Sequence, residues 1–140
     1  MATVELRFSA LPEHVRTARL VAAAVARRAG VDESVLDEVR LAVGEACSRA
    51  VGLQQRGDLA GVVRVALIDQ EKRFVIEVGD GAGSLSELAE PADDASGDGS
   101  SDGSDDTLGL AVITGLVEDV EVGRDDDGGL IRMSWPVNPA

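Results

Sequence analysis

The sequence has very few residues of the kinds that build metal centres, disulfides and aromatic cores. Cys47 is the only cysteine and His14 the only histidine among 140 residues. An intrachain disulfide, a cysteine-built zinc site and a histidine-cluster metal site are therefore all excluded. Tyrosine is absent, and the aromatic residues are Phe8, Phe74 and Trp135. The core must consequently be built from aliphatic side chains.

Long hydrophobic runs are also missing. No apolar stretch approaches the roughly 20 residues that a membrane-spanning helix needs. The N-terminus does not have the basic segment followed by an apolar segment that is typical of a secretory signal. We therefore predict a cytoplasmic protein with no membrane contact. The length of 140 residues fits one domain, residues 1–140.

Basic residues are absent from one third of the chain. The sequence has 13 Lys and Arg against 26 Asp and Glu, a formal net charge of −13, yet residues 74–123 contain no Lys or Arg at all. Half of the acids lie in that stretch, so the whole negative surplus is located there. Because phosphate backbones and anionic lipids repel such a chain, direct binding to nucleic acid or to a membrane surface is disfavoured.

The first half of the sequence shows clear periodic patterns. Alternating apolar residues predict a strand over 4–8, and Pro12 begins a helix that Gly30 ends. Asp32 is a suitable N-cap for a second helix, whose apolar stripe repeats every three or four residues as far as Leu53. Two β-rich runs, 62–68 and 74–78, follow and predict an antiparallel hairpin.

The second half begins with a segment of low complexity. From about Asp80 to Asp106 the chain is dominated by Gly, Ser, Asp and Ala, and we predict a flexible acidic lid or insert over 84–106. A short helix is predicted over 108–117 and a second hairpin over 120–135. The order β-α-α-β-β-lid-α-β-β predicts an α+β fold, a two-layer sandwich with a mixed, mostly antiparallel sheet and helices on one face.

Three short segments contain residues that could carry chemistry. Glu45 and Arg49, four apart on the second helix, are compatible with a surface ion pair contributing about 0.2–0.5 kcal/mol, or with Glu45 as a general base. Asp80 ends a strand and precedes two glycines, so it is suited to accept a hydrogen bond from an amine or simply to begin a flexible loop. Gly109, at the start of the third helix, is suited either to binding an anion through backbone N–H groups or to close packing between the loop and the helix.

Taken together, these segments resemble the motifs of the GHKL ATPase superfamily, and in particular the bacterial anti-sigma factors that are also serine-protein kinases. The run Leu41-Ala42-Val43-Gly44-Glu45-Ala46-Cys47-Ser48-Arg49-Ala50-Val51 resembles the N-box helix. Val78-Gly79-Asp80-Gly81-Ala82-Gly83 resembles the first glycine box. Thr107-Leu108-Gly109-Leu110, followed by Leu116-Val117-Glu118-Asp119-Val120, resembles the second.

The resemblance implies both an activity and a set of partners. Proteins of this kind bind ATP, sequester a sigma factor, phosphorylate a STAS-domain anti-anti-sigma factor on serine and form homodimers. It makes Glu45 the catalytic base of an active kinase and implies that Asp80 holds adenine. The nucleotide-binding positions that it implies are Arg49, Asp80, Gly81, Gly83, Gly109 and Leu110.

Several residues depart from the family pattern. The N-box is Glu-x-x-x-Asn, and Arg49 stands where the Mg²⁺-holding Asn belongs. An arginine side chain has donors but no acceptor, so it cannot ligate a cation, although it could contact a phosphate directly. The first glycine box is one residue short, Thr107 replaces a glycine of the second, and the lid has acids but no basic residue.

These departures lead to the prediction of a regulator that works by protein–protein binding to a sigma factor, a STAS-domain protein or both. We expect ATP binding and kinase activity to be weak or lost and no metal site to remain. The alternative is an active serine-protein kinase that phosphorylates a STAS-domain antagonist. For the acidic insert, we consider mimicry of nucleic acid, binding to a basic patch of a partner, and a solvated loop without a role of its own.

Overall fold

The computed structural model describes residues 2–83 and 101–137. Its strands and helices follow the predicted order. The strands are β1 (Ala2–Ser9), β2 (Val62–Asp69), β3 (Arg73–Gly79), β4 (Asp119–Asp125) and β5 (Gly128–Pro136). The helices are α1 (Pro12–Ala29), α2 (Leu36–Arg56), which a short 3-10 turn at Glu33–Val35 precedes, and α3 (Ser101–Leu116).

The five strands form one sheet in the order β1-β2-β3-β5-β4. All four pairings of these strands are antiparallel. Both predicted hairpins are present, β2–β3 and β4–β5. The predicted α+β class with a mostly antiparallel sheet is therefore confirmed, and within the described strands the sheet has no parallel pair.

The ends of the first two helices follow from local sequence. Pro12 occupies the first position of α1, where its missing N–H costs no hydrogen bond. Gly30 ends α1 in the left-handed conformation, with φ of 102°. Asp32 caps the 3-10 turn, since its carboxylate accepts a hydrogen bond from the Ser34 N–H. Asp32 therefore starts the helical segment, as predicted, but through a 3-10 turn before α2.

The core lies between the sheet and the helices, and it is aliphatic as expected. The inward-facing residues of the three central strands are all buried: Val63, Val65, Leu67, Phe74, Ile76, Val78, Ile131, Met133 and Trp135. They pack with one buried stripe from each of α1 and α2 and with Leu110 and Ile113 of α3. Because side chains alternate along a strand, the intervening positions face away from the helices. Ion pairs such as Arg132–Glu77 link neighbouring strands there.

Helix α3 begins earlier than the sequence predicted. It starts at Ser101 rather than at about 108, so residues 101–106 are helical and not part of a loop. The apolar pattern begins only near 108, but acidic residues are favoured in the first turns of a helix, and this part of the sequence has several. The remainder of the predicted acidic lid, residues 84–100, lies outside the described residues.

Candidate functional site

The N-box helix and the first glycine box meet at a buried ion pair. Arg49, on α2, and Asp80, directly after β3, place Nη1 and Oδ2 3.6 Å apart. Their side chains are only 4% and 3% exposed. The prediction of an exposed ion pair between Glu45 and Arg49 is therefore wrong, because the Arg49 side chain lies inside the protein. Arg49 is buried because its position on α2 lies in line with the buried apolar residues of that helix.

The other carboxylate oxygen of Asp80 contacts the backbone. Oδ1 accepts hydrogen bonds from the N–H groups of Ala82, at 2.9 Å, and Gly129, at 3.0 Å. The Asp80 N–H in turn donates to the Gly129 carbonyl at 3.1 Å. Asp80 thus joins the first glycine box to the beginning of β5. From the sequence, Asp80 was suited to accept a hydrogen bond from an amine or to begin a flexible loop. The contact with Ala82 is local, two residues along the chain, whereas the contact with Gly129 joins residues 49 apart and has no local sequence signal.

Gln54 is a residue of this site that the sequence analysis missed. It is completely buried near the end of α2, and its Nε2 donates to the Asp80 carbonyl at 2.8 Å. Its spacing of four residues from buried Ala50 continues the apolar stripe. A polar residue at such a position was the available signal, because a buried amide needs a hydrogen-bond partner.

The glycines of the first box have tight or special conformations. Both Gly81 and Gly83 have positive φ, 62° and 59° respectively. A Cβ on Gly81 would collide with the Val62 carbonyl oxygen, whereas a Cβ on Gly83 would meet nothing within 4 Å. The Gly83 N–H donates to the Asp127 carbonyl at 2.9 Å. These contacts hold the glycine box against β2 and the β4–β5 turn.

The second glycine box meets α2 one turn before Arg49. Glu45 is half-buried, and its Oε2 lies close enough to Gly109 that an added Cβ would be 3.3 Å away. Leu110, the neighbouring predicted site residue, is 6% exposed and belongs to the hydrophobic core. The structure thus pairs Glu45 with Gly109 and Arg49 with Asp80, along one side of α2.

The residues at the N-box do not fit a magnesium ion. Mg²⁺ prefers oxygen ligands in octahedral geometry, and Arg49 offers only N–H donors. Among the residues described, no cluster of three or more His, Cys, Asp or Glu side chains could hold a metal ion. Arg49 therefore contributes no ligand for Mg²⁺ at this position.

Cys47 lies on the same helix and is not a reactive group. Its side chain is fully buried, and burial raises the pKa of the thiol to about 12. The thiol therefore stays protonated at neutral pH and packs as a small apolar group. In the described part of the chain, no helix is long and apolar enough to cross a membrane.

Comparison with known proteins identifies relatives. The chain is 34% identical over 84 residues to the "Serine-protein kinase RsbW" of Bacillus pumilus (strain SAFR-032), a match covering 59% of this chain and 52% of that protein. It is 32% identical over 77 residues to the protein of the same name from Bacillus subtilis (strain 168), covering 55% and 48% respectively. The match therefore spans about half the length of these relatives.

A solved structure shares the fold. The crystal structure of the RsbU and RsbW domains of Rv1364c from Mycobacterium tuberculosis aligns with a TM-score of 0.66 at 17% sequence identity. The alignment covers 100% of this chain and 34% of that one. At this identity the likeness supports the fold alone.

The family model of the histidine kinase-like ATPase domain matches residues 8–135, which is nearly the whole chain. This range contains the N-box helix and both glycine boxes. Together with the RsbW relatives, it confirms the resemblance that the sequence motifs indicated. The chain belongs to the histidine kinase-like ATPase domain family.

Proposed function

We propose that this protein is an anti-sigma-factor-like regulator that acts by binding a sigma factor, a STAS-domain anti-anti-sigma factor or both, with weak or lost ATP binding. The observation that carries the proposal is the buried Arg49–Asp80 ion pair. It occupies the positions that the family pattern assigns to a Mg²⁺ ligand and to the acceptor for adenine. The RsbW relatives support the regulatory class.

The surroundings of Asp80 argue against tight nucleotide binding. Its carboxylate is 3% exposed and already faces a guanidinium and two backbone N–H groups. Because the side chain is almost completely buried, an adenine amine could reach Oδ2 only if the packing around the Arg49–Asp80 pair opened. Arg49 adds a positive charge where a cation is needed, and like charges a few ångströms apart repel strongly at low dielectric.

A second candidate function is an active ATP-dependent serine-protein kinase. The position of Glu45 favours it, since this half-buried carboxylate lies beside the second glycine box at Gly109. In that case Glu45 is the general base and Arg49 contacts a phosphate. Phosphoryl transfer depends on metal ions and cationic groups that neutralise developing charge, and this site does not provide the metal ligands.

The proposal is tested by identifying the partner and then assaying phosphoryl transfer. We expect the tagged native chain to copurify with a sigma factor or a STAS-domain protein, and the absence of both classes contradicts the proposal. With purified STAS-domain partner and radiolabelled Mg²⁺–ATP, we expect no transfer. Transfer that is lost in Glu45→Ala but retained in Glu13→Ala, a control at an exposed acid of α1 outside the three motifs, would establish the kinase instead.

A further inference from the structure

The first glycine box is held by polar contacts from two sides. We name the residues involved, Arg49, Gln54, Asp80 and Gly129, the Asp80 cluster. Helix α2 contributes Arg49 to the carboxylate of Asp80 and Gln54 to its carbonyl. The first residues of β5 contribute Gly129, which exchanges hydrogen bonds with Asp80 through both its N–H and its carbonyl. Asp80 is therefore attached through its side chain and through its backbone.

Two glycines beside the cluster are tightly packed against it. A Cβ on Gly128 would lie 2.5 Å from Asp80 Oδ1 and 2.8 Å from the Gly83 nitrogen. A Cβ on Gly61 would lie 3.0 Å from both Nε2 and Oε1 of Gln54. Real Cβ atoms essentially never show the distances found at Gly128, and those at Gly61 are tighter than nine in ten real Cβ contacts. The turn, the glycine box and the end of α2 thus fit together only because these positions lack side chains.

Burial makes the free energy of folding sensitive to the loss of either charge of the ion pair. An isolated buried charge is expensive, and the desolvation cost is offset only while the opposite charge and good hydrogen bonds are present. Removing one partner of a buried pair is consequently far more damaging than removing both. On the surface, where solvent screens both groups, the same chemistry contributes little.

We propose that Arg49 is an internal counter-ion that fixes Asp80 in the fold, so that the first glycine box is held in one ordered conformation without a nucleotide. The inference rests on the proposed function, because it explains how a chain with weak or lost ATP binding keeps this loop folded. In this proposal Asp80 stabilises the protein by holding the beginning of β5 and helix α2 against the first glycine box. It also adds Gln54, which binds the main chain of the same residue, as a positioning residue.

A double-mutant cycle in the full chain tests the pairing. Asp80→Asn keeps an acceptor for the Ala82 and Gly129 N–H groups but removes the charge, and Arg49→Met keeps the apolar stem. We expect each single substitution to raise the equilibrium constant for unfolding about 100-fold or more. The double variant is expected to be at least tenfold more stable than the two single effects together predict. Additive effects overturn the proposal.

The matched control is Arg132–Glu77, a cross-strand pair with a distance of 3.4 Å and side chains 41% and 23% exposed. The variants Arg132→Met, Glu77→Gln and their combination should show less than about fivefold coupling. Since the distance is no longer than that of Arg49–Asp80, the comparison isolates burial. Equal coupling in the two cycles would show that the Asp80 cluster has no special role.

Hydrogen exchange decides the question if a single variant does not fold. In the wild-type chain without nucleotide, the amides of Ala82 and Gly129 should exchange as slowly as those of the central strand β3. Exchange at the rate of exposed loop amides overturns the proposal. Neither measurement uses a nucleotide or a partner. The proposed role of the Asp80 cluster can therefore be refuted while the proposed function stands, and the proposed function can be refuted while the role of the cluster stands.

Discussion

Gly81 and Gly83 have nearly the same backbone conformation but very different surroundings. Both have φ near +60°, which costs an L-residue about 1–2 kcal/mol. Only at Gly81 does a side chain also collide with a backbone carbonyl, that of Val62. We expect Gly81→Ala to lower the free energy of unfolding by about 1–3 kcal/mol more than Gly83→Ala does. Urea unfolding of the two variants measures the difference, and equal losses would contradict the packing.

Cys47 provides a prediction about alkaline pH. Burial raises the pKa of its thiol to about 12, whereas an unfolded thiol titrates near 9. Between these values the native state keeps a proton that the unfolded state has lost. The thiol's stabilising effect is therefore complete below pH 9 and disappears as pH rises toward 12, by about 1.4 kcal/mol per pH unit.

The measurement is the free energy of unfolding between pH 8 and 10.5, compared with that of Cys47→Ala. The variant should be less stable at pH 8 but show a shallower alkaline slope. The chain suits this experiment because it has no tyrosine and a single lysine, the exposed Lys72. A slope that is identical in the two proteins would refute the assignment.

At the scale of elements, Trp135 and Glu38 connect the sheet to the helical layer. The Trp135 Nε1 donates to Glu38 Oε2 at 2.6 Å, which joins β5 to the first turns of α2. Glu38→Ala would leave the buried indole N–H without this acceptor, at a cost of about 1–3 kcal/mol. Glu38→Gln keeps an acceptor and should cost less. Fluorescence of this single tryptophan during urea unfolding reports on both variants, and equal losses would contradict the hydrogen bond's role.

Most of the elements could be predicted from the sequence, because their signals are local. The alternation in β1, Pro12 and Gly30 around α1, and the turn residues of both hairpins each act within a few residues. The start of α3 could not be predicted in this way, since the apolar pattern begins seven residues after Ser101. Without that pattern, the sequence has no apolar periodicity by which these first turns could be recognised as helical.

The candidate site was predictable only in part, for a physical reason. Glu45, Arg49, Asp80 and the glycines were recognisable as a set because the family motifs are short and contiguous. The contact between Arg49 and Asp80 depends on how α2 crosses the end of β3, which no local pattern encodes. Gln54 was missed for the same reason: its partner, the Asp80 carbonyl, is 26 residues away.

At the scale of the whole molecule, the charge distribution and the site lead to the same expectation. The negative surplus lies in residues 74–123, which include both glycine boxes, and none of these residues is basic. ATP carries several negative charges of its own, so this part of the chain repels it. Three arginines lie beside the first box, and each has a partner in the fold. Arg49 faces Asp80 at 3.6 Å, Arg124 donates to the Gly83 carbonyl at 3.2 Å, and Arg64 pairs with Asp125 at 3.1 Å.

This arrangement predicts that nucleotide does not stabilise the fold. A site with micromolar affinity would contribute about 4 kcal/mol at 1 mM ATP, because ligand binding to the native state adds RT ln(1 + [L]/Kd). In a domain of this size that gain raises Tm by roughly 10 °C. We expect the wild-type chain to shift by less than about 1 °C, with or without Mg²⁺, in a calorimetric scan. The Bacillus subtilis RsbW, scanned under the same conditions, is the comparison protein. A Mg²⁺-dependent rise of several degrees in this chain would contradict weak or lost ATP binding, and the phosphoryl-transfer assay would then decide whether the bound nucleotide is used.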